Sequence, residues 1–96
     1  MSDPASSPAT VTRPPLTIRM HADDNVAIVA NEGGLEAGVM LPHGLRLRDR
    51  VPQGHKVALE DIAAGAPVRR YGIVIGHAMK DIAAGSWVHE RLLTMP

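Results

Sequence analysis

Apolar and polar residues alternate along much of the chain after residue 15, in short runs separated by turn residues. Residues 16–20 alternate strictly, which predicts a half-buried strand, and residues 26–30 form a continuous apolar run. Residues 35–41 and 45–48 alternate again, and the segments between these runs are rich in Asp, Asn, Gly and Pro, which favour turns. Short strands with frequent turns predict a mainly β domain.

An internal repeat organises the second half of the chain. Residues 61–68 return as residues 81–88, and residues 50–57 are a fainter copy. Each copy has an apolar residue, a spacer, a glycine and a valine three residues after the glycine. This pattern predicts a single tight helical turn closed by a left-handed glycine, with the apolar residue plugging the core. The acidic residues Asp61 and Asp81 open the two clear copies, and we expect them to cap turns rather than to act in catalysis.

Helix content is expected to be low. Residues 55–64 contain good helix formers, but the fainter copy carries Pro52 at a spacer position, where a regular helix is not sustained. We therefore expect a strand at Lys56–Leu59 followed by one short turn.

The first fifteen residues have a different composition from the rest. They contain four prolines among Ser, Thr and Ala, which predicts a disordered tail at 1–15 and one folded domain at 16–96. The tail has no apolar segment after a basic start, so we do not expect a secretory signal. With no cysteine in the chain, a cytoplasmic location is the default expectation.

Composition excludes several classes of function. Ten Lys and Arg residues balance ten Asp and Glu residues, which argues against a general binder of nucleic acid or of membrane surfaces. The absence of cysteine excludes disulfides, thiolate metal sites and a cysteine nucleophile. The aromatic residues are Tyr71 and Trp87, expected to lie in the core or at an interface, and base stacking is disfavoured.

Several short motifs in a fixed order make the chain recognisable. These motifs are Met20–Ile28, His55–Leu59, Asp61-Ile62, Tyr71-Gly72, Ile75-Gly76 and Gly85-Ser86-Trp87. With them the chain resembles the SAF domain at the N-terminus of the altronate/galactarate dehydratase family, and residues 31–38 and 52–56 are most similar to the galactarate-type members.

The resemblance implies a fold and a reaction. The fold is a β-clip, mainly β with short strands and single-turn helices. The reaction is the loss of water from a sugar diacid, completed by a large catalytic region or subunit of the same enzyme. The chain is then either a shortened form of a longer enzyme, which its Pro-containing end favours, or a separate small subunit, and it is expected to be inactive alone.

Other functions remain open at this point. The chain is alternatively the small subunit of an altronate dehydratase or of a sulfolactate lyase. A non-enzymatic β-clip binding module is the third alternative, although neither a flat Thr/Ala-rich surface nor a signal peptide is evident. An all-β chain with strand edges also leaves homodimerisation open.

Histidines are the first candidates for the chemistry. Dehydration removes a proton next to a carboxylate and expels the neighbouring hydroxyl, and the resemblance implies iron(II) or a similar divalent metal. Imidazole serves as an acid, a base or a ligand in such a site. We expect His21 and His55 to be catalytic, and His21, His55, His77 and Asp24 to be metal ligands. No contiguous signature such as HExxH supports the metal, so the hypothesis is that these strand-end residues converge on one rim.

Substrate contacts are assigned to Asn25 and Lys56. For each candidate a structural role is an alternative: His21, Asp24 and Asn25 could cap a tight turn, and Lys56 and His55 could be solvated surface residues. Four arginines could bind a carboxylate or simply face solvent, and two further histidines are expected at the surface. These are Arg46, Arg48, Arg69, Arg70, His43 and His89.

Overall fold

A computed structural model describes residues 14–95 and shows a mainly β fold. Short apolar runs form the strands, and turns at Asp, Asn and Gly separate them. The strands are β1 (Thr17–Ile18), β2 (Val26–Val29), β3 (Lys56–Ala58), β4 (Pro67–Arg70), β5 (Ile73–Ala78), β6 (Trp87–Val88) and β7 (Leu93–Thr94). Two single 3₁₀ turns, Pro42–Gly44 and Glu90–Leu92, are the helical segments within residues 14–95, and neither is long enough to span a bilayer.

The strands form two antiparallel sheets. One sheet has the order β1-β2-β3-β6, and the other has the order β4-β5-β7. In the first sheet Ile28 pairs with Ile18 on one side and with Lys56 on the other, and Lys56 pairs in turn with Val88. A bulge shifts the register of the β4–β5 hairpin between Val68 and Arg69 of β4.

Apolar side chains pack into two clusters, one on each face of the larger sheet. The cluster between the sheets contains Val26, Ala58, Val68, Val88 and the repeat residues Ile62 and Ile82. The other cluster lies under the loops of residues 35–51 and contains Val29, Leu35, Leu47, Val51 and Val57. The predicted burial of the apolar residue in each repeat is therefore confirmed.

The repeat has four copies, one more than the sequence analysis found. In each copy the glycine N–H donates to a carbonyl at the end of another extended segment. The four donor–acceptor pairs are Gly38–Leu47, Gly54–Val29, Gly65–Ala78 and Gly85–Ala58, at 2.7 to 2.8 Å. The copies associate in two pairs through their apolar residues. Leu35 forms an antiparallel β-bridge with Val51, and Ile62 forms one with Ile82.

The predicted capping residues act across the repeat pair. The Asp61 carboxylate accepts the N–H of Ala84, and the Asp81 carboxylate accepts the N–H of Ala64, both at 2.8 Å. Together with the Ile62–Ile82 bridge, these bonds join residues 61–64 to residues 81–84. The two segments bond each other reciprocally, in a local two-fold arrangement. The repeated aspartates therefore stabilise turns.

Two local predictions were wrong. The repeat segments are β-turns rather than helical turns: Ala66 N–H bonds the Ala63 carbonyl, and Gly65, third in that turn, has φ of +85°, as a type II turn requires. Residues 35–41 are not a strand, because the fourth repeat copy bends the chain there and leaves only isolated bridges at Leu35 and Met40.

Most of the predicted tail, residues 1–13, lies outside the described residues. Its last two residues are described. The Asn31 side chain donates to the Pro14 carbonyl and accepts the N–H of Leu16, which fixes the start of the domain against the turn after β2.

Candidate functional site

A groove of about 710 Å³ runs across the end of β3 and β6. Lys56 is the first residue of β3 and His55 immediately precedes the strand, and both side chains line the groove. Val57 pairs with Trp87, which places the tryptophan beside them. The remaining polar residues of the lining come from the segment after β6: His89, Glu90 and Arg91.

Trp87 organises the histidines of the groove. Its indole N–H donates to His55 Nδ1 at 3.2 Å, and its ring meets the rings of His55 and His89 edge to face, with centroids 5.5 and 5.0 Å apart. Because His55 Nδ1 accepts this bond, the proton of the neutral ring lies on Nε2. His55 is therefore oriented to donate a hydrogen bond from Nε2.

Lys56 has a positive neighbour. Partial burial lowers the pKa of its ammonium group below the ordinary value, and the nearby Arg70 guanidinium lowers that pKa further. Glu90 opposes the shift, but it is an exposed carboxylate of the 3₁₀ turn and does not cancel it. The groove end of β3 thus carries more positive than negative charge.

A second cluster lies at the opposite end of β2. The Asp24 carboxylate is buried and accepts the N–H groups of Tyr71 and Gly72, at 3.0 and 2.7 Å. Burial raises the pKa of this carboxyl, but the hydrogen bonds from Gly72 and Tyr71 and from the backbone near His21 outweigh burial and hold its pKa below the ordinary value. Asp24 therefore clamps the tip of the β4–β5 hairpin onto the start of β2.

His21 packs on that hairpin tip. A Cβ atom added at Gly72 would lie 3.1 Å from the imidazole ring, so a larger residue there would have to displace the ring by a few tenths of an ångström. His21 Nδ1 accepts the N–H of Asp23 at 3.0 Å, as expected for the alternative in which the histidine caps a turn. The ring is half exposed, so its Nε2–H reaches solvent.

Asn25 holds β4 to β2. Its amide nitrogen donates to the Pro67 carbonyl at 2.9 Å, and its amide oxygen accepts the N–H of Arg69 at 2.8 Å. A substrate contact by this buried side chain would require breaking one of these bonds. The substrate role of Asn25 stays a prediction, and the structure adds a role in joining the sheets.

The histidines do not lie on one rim of this domain. The His21 carbonyl accepts the N–H of Asp24, two residues before β2, whereas the His55 carbonyl accepts the N–H of Val29 at the other end of that strand. At 3.3 Å per residue this separates them by roughly 15 Å. His77 pairs with Pro67 and Thr94, at the end of β5 away from the hairpin tip that touches His21.

The residues present do not form a metal site among themselves. Within residues 14–95, no group of three or more His, Asp or Glu side chains is placed to hold a metal ion. Both oxygens of Asp24 are engaged by backbone N–H groups. His21 and His55 each accept a hydrogen bond through Nδ1, so the proton of the neutral ring lies on Nε2. Nε2 is the atom that would have to bind the metal, and a protonated nitrogen is not a ligand.

The sequence analysis missed part of the groove. It treated His89 as a surface residue, did not consider Arg91, and placed Trp87 only in the core or at an interface. The antiparallel register of β3 and β6 brings these residues to His55 across more than thirty positions of sequence. The only signal for this pairing was the shared repeat pattern of the two segments.

Comparison with known proteins agrees with the resemblance. The sequence profile described as the altronate/galactarate dehydratase SAF domain matches residues 15–96. The chain is 51% identical over 79 residues to the galactarate dehydratase (L-threo-forming) of Escherichia coli K12, which covers 82% of this chain and 15% of that enzyme. It is 49% identical over 74 residues to the altronate dehydratase of the same organism, covering 75% of this chain and again 15% of the enzyme.

A third relative is a short polypeptide. The chain is 36% identical over 77 residues to the (2R)-sulfolactate sulfo-lyase subunit alpha of Chromohalobacter salexigens, covering 71% of this chain and 81% of that subunit. The chain thus spans about a seventh of the two dehydratases and most of the lyase subunit. With the profile matched across nearly all of the described domain, the chain belongs to the altronate/galactarate dehydratase SAF domain family.

Proposed function

We propose that the chain acts as the N-terminal SAF domain of a galactarate dehydratase, a hydro-lyase that converts D-galactarate to 5-dehydro-4-deoxy-glucarate and water. The observation that carries the proposal is the groove in which His55, with its Nε2–H free to donate, lies beside the cations Lys56 and Arg91. The identities to the two E. coli dehydratases, 51% and 49%, support a sugar-acid dehydratase, and the choice of galactarate over altronate rests on the resemblance of residues 31–38 and 52–56 to the galactarate-type members. The rest of the active site belongs to a larger catalytic region, and a cytoplasmic location is part of the proposal.

In the proposed chemistry, this domain and the larger catalytic region each contribute part of the reaction. A base of the catalytic region removes the proton next to a substrate carboxylate, and the carbon–oxygen bond to the neighbouring hydroxyl breaks as the double bond forms. His55 donates a hydrogen bond from Nε2–H to the departing hydroxyl, an acid of the catalytic region supplies the proton with which it leaves as water, and the resulting enol becomes the ketone. Lys56 pairs with a substrate carboxylate and keeps the diacid in place.

The divalent cation, expected to be iron(II), is proposed to lie among residues of the catalytic region. The tautomers of His21 and His55 and the engaged oxygens of Asp24 argue against a site within this domain. The metal roles of His21, His55, His77 and Asp24 stay predictions, as does a catalytic role for His21.

A chimeric enzyme tests the proposal. The matching segment of the E. coli galactarate dehydratase is replaced by this chain, and galactarate dehydration is measured with iron(II) present; a parallel chimera uses the E. coli altronate dehydratase. We expect the galactarate chimera to retain turnover and the altronate chimera to lose most of its own. The reverse order would transfer the assignment to altronate, and two inactive, folded chimeras would contradict the proposal.

Variants of the active chimera test the groove. His55→Ala should lower kcat roughly 10²- to 10³-fold, the range for loss of a hydrogen-bond donor to the transition state. Lys80→Ala, at an exposed residue outside the groove, is the matched control and should leave kcat unchanged. Equal turnover of the two variants would remove His55 from the chemistry.

A further inference from the structure

Arg70 carries a buried hydrogen-bond donor without a partner. It ends β4, and its guanidinium lies 4.8 Å from the centre of the Tyr71 ring. The Nε atom is buried and has no hydrogen-bond partner among the described residues. Buried donors are almost always paired, so an unpaired guanidinium N–H indicates a place where a ligand completes the bond.

A charged neighbour of Arg70 has the same sign, because the Arg70 guanidinium lowers the pKa of the Lys56 ammonium group. Lys56 pairs with Val88, a residue of the cluster between the sheets, so its side chain lies on the face that meets β4. Within residues 14–95, neither Lys56 nor Arg70 forms an ion pair within 4.0 Å, whereas Arg50 pairs with Glu36 at 3.0 Å. An anion bound between the two partly buried cations would relieve their repulsion.

We propose that Lys56 and Arg70 form a carboxylate-binding site between the two sheets, with Arg70 Nε as one of its donors. A planar carboxylate matches the guanidinium fork side-on, through Nε and one terminal nitrogen, and Lys56 supplies the second charge. The carboxylate comes either from the sugar diacid or from an Asp or Glu side chain of the catalytic region. The inference deepens the proposed function and rests on it for the sugar acid, since Lys56 is there assigned to a substrate carboxylate; it adds Arg70 and a second source of the carboxylate.

Binding is measured by NMR on the ¹⁵N-labelled 96-residue chain. The Arg70 Nε–H signal and the indole N–H signal of Trp87, the single tryptophan, report on the site. Sodium galactarate, succinate and acetate are titrated, with sodium chloride at equal ionic strength and the neutral galactitol as controls. We expect the carboxylates to shift the Arg70 Nε–H signal saturably, and neither control to do so.

Variants localise the effect. Lys56→Met should weaken carboxylate binding at least about tenfold, since it removes a charge-assisted hydrogen bond. Lys80→Met, at an exposed lysine beyond β5, is the matched control and should bind like the unmodified chain. Arg70→Lys removes the fork and should also weaken binding. The dispersion of the amide spectrum checks the fold of each variant, and Lys56→Met keeps the test valid if Arg70→Lys does not fold.

The comparison among ligands identifies the source of the carboxylate. Tighter binding of galactarate than of succinate and acetate supports the sugar acid, and equal weak binding of all three supports a protein carboxylate. The proposal is overturned if no carboxylate gives a saturable shift, if sodium chloride gives the same shift, or if Lys56→Met binds like Lys80→Met. The measurement needs no turnover, so its outcome is separate from that of the chimeras.

Discussion

A carboxylate is stable inside a small domain only when its oxygens are occupied, and Asp24 meets that condition through the Tyr71 and Gly72 N–H groups. These bonds favour the ionised form and lower the pKa of the carboxyl. The same bonds fix the hairpin tip on which His21 packs. At the scale of single residues, the family motif around His21 is thus explained by a structural clamp.

The Asp24→Asn variant should be less stable than the unmodified chain at neutral pH, and its stability should fall less as the pH is lowered. Because the folded pKa lies below the ordinary value of 3.8, the ionised form contributes stability above that value, and the contribution is lost as the pH falls through the lower folded pKa. Thermal unfolding at pH 7, 4 and 3 should show a lower Tm for the variant at pH 7 and a smaller gap from the unmodified chain at pH 3. Glu60→Gln, at an exposed carboxyl, is the control. A constant gap at all three pH values would contradict the clamp.

At the scale of elements, the four turn units determine the fold. Gly65 and Gly85 occupy equivalent positions and have nearly equal φ values, +85° and +88°. Their surroundings differ, because a Cβ at Gly65 would meet nothing within 4 Å, whereas a Cβ at Gly85 would lie 2.3 Å from the Arg46 carbonyl oxygen. The pair therefore separates the cost of a left-handed backbone from the cost of a steric clash.

Gly65→Ala should destabilise the domain by about 1–2 kcal/mol, the cost of placing alanine at positive φ. Gly85→Ala should cost clearly more, up to failure to fold, since the clashing atom is backbone. Urea unfolding followed by Trp87 fluorescence measures both, with the unmodified chain as reference. Equal costs would mean that residues 46–48 do not pack against this turn as described.

The sequence predicted the features that depend on residues close together in the chain. The left-handed glycines and the buried Ile62 and Ile82 followed from residues within one repeat unit. The Leu35–Gly38 unit was missed, because its Glu36-Ala37 spacer also fits the alternation of a strand. The contact between His55 and Trp87 was beyond a local pattern, since it depends on the pairing of β3 with β6.

At the scale of the whole molecule, the domain presents different chemistry at its two ends. At the end that carries His21, the polar side chains form hydrogen bonds to the domain's own backbone. At the end that carries His55 and Lys56, hydrogen-bond donors and positive charges line a groove. A dianionic substrate favours the second end. The groove is therefore the face that we expect to meet the catalytic region.

A relative of similar length suggests how to separate the two parts. The sulfolactate lyase subunit is a polypeptide of which the aligned region covers 81%, so most of that subunit corresponds to a domain of this family. This makes addition of the present chain as a separate component a direct test of its function.

The measurement is the rate of galactarate dehydration by the E. coli galactarate dehydratase lacking its matching segment, with iron(II), as increasing amounts of this chain are added. We predict little turnover without the chain, saturable restoration with it or with its Lys80→Met variant, and at least about a hundredfold less restored turnover with His55→Ala. Full turnover by the shortened enzyme alone, or none at any concentration of the chain while that enzyme stays folded, would contradict a role for this domain in the reaction.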